Sequence, residues 1–128
     1  MDIILWILQA LLALVFGGSG ALKAVQPNDT FKANGARMGK WTQVYAPWWI
    51  KTIGTLEFLG GVGLILPMLT NILPWLTPLA ALGLFFTMMG AAYTHYRHHE
   101  NDKIVVNAIL GAIALVVFIG RLPLLTGA

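Results

Sequence analysis

The chain has 128 residues, 58% of them hydrophobic and only 10% charged, and its mean hydropathy is +0.76. A soluble domain carries about 25% charged residues, so this chain cannot cover its apolar surface in water and part of its solvent must be lipid. It has no cysteine, which excludes disulfides, dithiol redox chemistry and thiolate metal sites, and its net charge of +3 includes no basic cluster with interleaved aromatics of the kind that binds nucleic acid.

Four apolar segments follow one another, at 3–22, 48–66, 75–96 and 104–122. Each is about 20 residues long, or about 30 Å as a helix, which matches the hydrocarbon core of a bilayer. Backbone groups in lipid must be satisfied within the element, so the segments predict helices. The expected fold is an all-α integral membrane four-helix bundle, a single domain over 1–128. The first segment is read as a retained span and not a cleaved signal peptide. It opens with Asp2, offers no basic residue before the apolar run, and is longer than a typical signal core.

The connections differ in character. The first, 23–47, is long and polar and contains Gln26-Pro27-Asn28-Asp29, a turn and helix-start signal. A short interfacial helix is expected over 30–38, ending at Gly39. The second, between Pro67 and Pro74, is short and uncharged, and the two prolines are expected to bound a turn. Pro78 falls in the first turn of the third span, where proline is tolerated. The third connection, 97–103, is short and charged. Short connections imply antiparallel neighbours.

Four spans put the first and third connections on one side. That side collects Lys23, Lys32, Arg37, Lys40, Lys51, Arg97 and Lys103, against Arg121 on the other. Basic loops stay cytoplasmic. The expected location is therefore a bacterial cytoplasmic membrane, with 23–47 and 97–103 inside and both termini on the opposite side. Aromatic residues agree: Trp41, Tyr45, Trp48, Trp49, Tyr93 and Tyr96 gather at the basic end, and Trp6 and Trp75 mark the other.

Helical periodicity then shows where the polar residues point. Glu57 shares a face with Ile50, Ile53, Gly54, Gly60, Gly61 and Leu64, while Leu56, Phe58, Leu59 and Val62 point elsewhere. Glycines beside the acid admit another backbone, so this face meets a helix and not lipid. A carboxylate turned toward lipid would cost about 2.5 to 3.5 kcal/mol even on the gentler insertion scale. Gln9, Phe16, Ser19, Gly20 and Lys23 form the corresponding stripe of the first span. Thr77, Ala81, Met88, Ala91, Ala92 and His95 form that of the third, and Asn107, Gly111, Ala114, Phe118 and Arg121 that of the fourth. Facing inward, the four stripes make a polar seam packed through Gly20, Gly54, Gly60, Gly61 and Gly111. Glu57 lies about 9 Å inside Lys51, and a lysine can bend along its helix to reach it. Lys23 is the expected partner of Glu57, with His95 or Asn107 adding hydrogen bonds. Glu57 has two readings: a bridge that fixes helix assembly, or a carboxylate that handles a proton or anchors a ligand. Lys23 can likewise be a snorkelling lysine at the membrane boundary.

Two further motifs carry less. The stretch YTHYRHHE, Tyr93 to Glu100, spaces His95 and His99 at i, i+4, but contains no HExxH, and its three histidines occupy one short helix end. No metal is assigned to it. An interfacial patch that binds headgroups or titrates near neutral pH accounts for it. Gly17-Gly18-Ser19-Gly20 follows no strand and lacks the lysine of a phosphate loop, so it is read as helix packing.

Several stretches together resemble a known family: GALK (Gly20 to Lys23), IGTLEFLGGVGLILP (Ile53 to Pro67), PLAALGLFFTMMGAAYTHYR (Pro78 to Arg97), and a last span from Asn107 to Gly120-Arg121. In this order they resemble the DoxX-like family of small four-helix membrane proteins, over nearly the whole chain. The resemblance implies kinship with DoxD- and MauE-type proteins, associated with quinone-linked or other redox systems, and with eukaryotic relatives that act as assembly chaperones for membrane receptors. By position it carries the family's polar residues onto Lys23, Glu57, Asn107 and Arg121, and onto His95 less directly. The cysteine pairs of thiol-dependent redox members have no counterpart here.

Two functions of different class follow. The first is a non-catalytic subunit or assembly partner of a membrane complex, in which the seam serves helix assembly and the bilayer, other membrane subunits or further copies of the chain are the partners. The second is a site for a quinone or similar amphipathic ligand, with Glu57 at the polar head. No other cofactor is indicated.

Overall fold

The computed structural model describes residues 2–25 and 46–126. Within them are α1 (Asp2–Val25), α2 (Pro47–Thr70), α3 (Leu76–Arg97), α4 (Asn101–Gly120) and a final turn, α5 (Pro123–Thr126). The first four helices are long and apolar enough to cross a membrane. Their outer surface is hydrocarbon: Leu14, Phe86 and Ile109 are 76%, 63% and 55% exposed. Only a lipid solvent tolerates so continuous an apolar exterior. The interfacial helix expected over 30–38, with Lys32, Arg37, Lys40, Trp41 and Tyr45, lies outside the described residues.

Local chemistry explains the helix ends. In α1, Asp2 sits in the first turn and Lys23 in the last, each complementing the helix dipole. Pro47 opens α2, where its missing N–H costs nothing, and Asn71 closes that helix in the left-handed conformation. The turn between α3 and α4 is shorter than the expected 97–103 connection, because both helices run into it. His99 takes a left-handed φ of 58°. The N–H of Glu100 donates to the His95 carbonyl at 2.9 Å and that of His99 to the Tyr96 carbonyl at 3.2 Å. This is the Schellman closure, which satisfies carbonyls that a helix end leaves orphaned.

The expected turn at Pro67 is not where the chain turns. α2 continues through Pro67 to Thr70. A proline inside a helix leaves the carbonyl four residues back without its donor, here that of Gly63. The Thr77 hydroxyl of α3 donates to that carbonyl at 2.9 Å. The next carbonyl, of Leu64, accepts from Gln9 Nε2 of α1 at 2.6 Å. Thr77 of the neighbouring helix thus supplies the partner that lets proline remain inside a membrane helix, and Gln9 adds a bond at the next carbonyl.

Consecutive helices run antiparallel. α1 packs most closely on α2, and α3 on α4, with the two pairs meeting less intimately. Glycine sets the α1–α2 distance. A Cβ on Gly20 would run into the backbone of Gly54 and Phe58, and one on Gly61 would lie 3.0 Å from the Gly17 nitrogen. Across the other contacts the predicted packing glycines meet side chains: Gly60 faces Leu84 and Gly111 faces Met88 and Met89. The dry core joins Leu12, Phe16, Leu64, Ala81, Leu84, Met88, Ala114 and Val117. Leu84 and Val117 are buried where the sequence stripes had omitted them, and Phe118, assigned to the α4 stripe, is only partly buried against this core.

Candidate functional site

The polar seam divides into two clusters at opposite ends of the bundle. At the basic end, Gly20 and Gly54 bring the α1 and α2 backbones together, and one turn beyond Gly20 the chain carries Lys23. Its Nζ lies 2.7 Å from Glu57 Oε1. Glu57 is 3% exposed and the Lys23 side chain 17%. The expected pairing therefore forms, with the lysine reaching back along its helix from the boundary. A charge-assisted hydrogen bond of this length is of the strong class.

His95 and Asn107 stand differently from expectation. His95 is buried, but its Nδ1 is 3.0 Å from Glu100 Oε1 and not engaged with Glu57. The reason is local: the tight α3–α4 turn folds Glu100 back over the last turn of α3. Lys103 extends this group, 3.9 Å from Glu100 and 3.6 Å from Asp102. Asn107 is 9% exposed, and its Nδ2 has no hydrogen-bond partner. His98 and His99 lie in the turn itself.

Arg121 belongs to the other end. Its Nε donates to Gln9 Oε1 at 2.7 Å, its Nη1 contacts the Asp2 carboxylate, and its guanidinium lies 5.6 Å from the Trp6 ring. Gln9 thus accepts from Arg121 and donates to Leu64, tying α1, α2 and α4 together. With Thr77 bonded to Gly63, this end of the bundle is stitched shut. Helical periodicity places Gln9 and Thr77 on inward faces, but it does not reveal the links they make or the contact of Asp2 with Arg121. The signal available for Thr77 was the proline in α2, which guarantees a carbonyl seeking a donor.

Between the stitched end and the basic end the two helix pairs frame a half-open cavity of about 930 Å³. Among the described residues its lining includes Lys23, Glu57, His95, Asp102, Lys103 and Asn107, together with Phe16, Trp49, Ile53, Leu56, Met88 and Leu110. All four long helices contribute. The charged groups cluster toward the basic end and the apolar walls extend inward from them. A concave, largely apolar site with a few convergent polar groups is the usual form of a small-molecule pocket. Its volume is that of a drug-sized or larger ligand. Ionisable side chains at this depth in a membrane bundle mark function more often than packing.

No curated protein and no solved structure matches the chain. The profile of the DoxX-like family matches residues 7–117, a stretch that takes in most of α1, the whole of α2 and α3, and Lys23, Glu57, His95 and Asn107, while Arg121 falls just beyond it. Four membrane-length helices, an acid in the second paired with a lysine at the end of the first, and this profile match agree: the chain belongs to the DoxX-like family.

Proposed function

We propose that this membrane protein binds an amphipathic, quinone-like ligand in the four-helix cavity, with the polar head beside Glu57 and Lys23. The cavity itself carries the reading. A seam that served assembly alone would be filled by side chains, as it is at the Gln9–Arg121 end. The basic end instead keeps about 930 Å³ beside a buried ion pair. Lys23 and Asn107 Nδ2 supply donors to a carbonyl head. Glu57 supplies an acceptor to a hydroxyl head, and can take or give a proton when the ligand changes state. Basic residues at this end favour a cytoplasmic orientation for it.

Titration of the purified protein with a short-chain quinone tests the proposal. Glu57→Gln is expected to weaken binding about tenfold or more, which corresponds to about 1.4 kcal/mol. Equal affinity would remove Glu57 from the site. A protein that binds no quinone yet copurifies with a membrane complex in mild detergent would support the assembly role instead.

A further inference from the structure

A second cavity of about 350 Å³ lies between α2 and α3, lined by Leu56, Gly60, Ala80, Gly83, Leu84 and Thr87. Leu56 and Thr87 also line the larger cavity, so the two adjoin along the α2–α3 seam. This seam faces the bilayer. Leu56 is exposed, and side-chain atoms added at Gly83 or Gly90 would meet nothing within 4 Å. Gly83, Thr87, Gly90 and Thr94 share one face of α3. The two threonine hydroxyls turn back on their own helix, Thr87 to the Gly83 carbonyl at 2.8 Å and Thr94 to the Gly90 carbonyl at 3.0 Å. The face that remains offers methyl and methylene groups to an apolar chain.

Resting on the ligand reading above, we infer that the α2–α3 seam is a lateral doorway through which the ligand enters from the bilayer and in which its single hydrocarbon chain lies. The smaller cavity spans about seven residues of α3, or about 10 Å along the chain. The head that fits is uncharged. Each lysine of the larger cavity already has a carboxylate within 4.0 Å, Lys23 at Glu57 and Lys103 at Asp102 and Glu100. An anionic head would have to displace one of them. A carbonyl or hydroxyl head can use the Asn107 amide, which is nine-tenths buried and without a partner.

Photolabelling the protein in nanodiscs tests this, using a decyl quinone with a diazirine at the end of its tail and a tail-less quinone as reference. Labelling is expected on 56–60 of α2 and 80–87 of α3. Gly83→Leu and Gly83→Phe, which fill open space beside the smaller cavity and keep the fold, are each expected to cut that labelling about tenfold while leaving binding of the tail-less quinone unchanged. Labels falling on α1 or α4, or unchanged labelling in both variants, would overturn the doorway while leaving the head site standing. Failure of both probes to bind the wild type would overturn the ligand reading itself. Decanol is expected to compete better than decyl phosphate, and the reverse order would overturn the uncharged head.

Discussion

Glu57 and Lys23 are a buried pair, and the two members are not equivalent. Glu57 sits deep between helices at 3% exposure, whereas Lys23 reaches in from the boundary. Taking away the lysine strands a carboxylate in a water-poor seam, and breaking such a pair costs about 3 to 5 kcal/mol. Lys23→Met is therefore expected to lower the melting temperature in detergent sharply. Lys23→Met combined with Glu57→Leu should recover most of the loss, because an apolar pair of similar volume is often as stable as the ion pair it replaces. A double variant as unstable as the single one would mean that the pair is not the source of the effect. This contact was legible in the sequence because both residues occupy small-residue stripes at matching depth. The hydrogen bonds expected from His95 were not, because a three-residue turn, and not the helix face, decides which carboxylate meets that ring. Arg121 was placed correctly on an inward stripe, yet its partners Gln9 and Asp2 lie more than a hundred residues away, and periodicity on one helix cannot rank contacts of that range.

At the scale of the element, apolar length and periodicity predicted helices, their number and their inward faces. They misplaced the end of α2, because Pro67 reads as punctuation when considered alone. In lipid the rule is different: a proline is tolerated where neighbours supply the missing donor. Thr77 is that neighbour for the Gly63 carbonyl. Thr77→Val is expected to destabilise the protein by about 1 kcal/mol, within the range measured for hydrogen bonds between membrane helices. In a Pro67→Ala background the restored N–H can bond Gly63 within the helix, so the same substitution should cost close to nothing. A double-mutant cycle read by thermal or denaturant unfolding measures this coupling. Additive costs would detach Thr77 from the proline. Glycine makes the complementary argument. A Cβ on Gly54 would lie 2.5 Å from that of Lys23. Gly54→Ala must push α1 away from α2, and overpacking of this kind costs about 1 to 3 kcal/mol. Because the displaced atom belongs to Lys23, quinone affinity is expected to fall along with the melting temperature, whereas Gly83→Ala, which meets open space inside a helix, should leave affinity unchanged and hold or raise the melting temperature.

The molecule as a whole is asymmetric along the membrane normal, and that asymmetry connects its charge pattern with its cavity. One end is tied by side chains that bond backbone carbonyls and one another; the other carries the buried acid, most of the basic residues and the opening between helix pairs. Sequence reasoning reached the charge bias by counting and the aromatic ends by position, but a cavity is a property of how two pairs of helices lean, which no single stripe contains. If basic loops face the cytoplasm, the cavity's polar end does too, and its ligand is handled on that side. The absence of cysteine makes the orientation directly measurable, since every thiol in the protein can be an introduced one. Asp102 is 80% exposed at the basic end, and Thr126 is exposed in α5 at the other. In intact cells a membrane-impermeant maleimide is expected to label Thr126→Cys and to spare Asp102→Cys, which should react only after the membrane is opened. The opposite pattern would invert the protein and place the Glu57 cavity at the outer face, where its ligand would be exchanged with partners outside the cytoplasm.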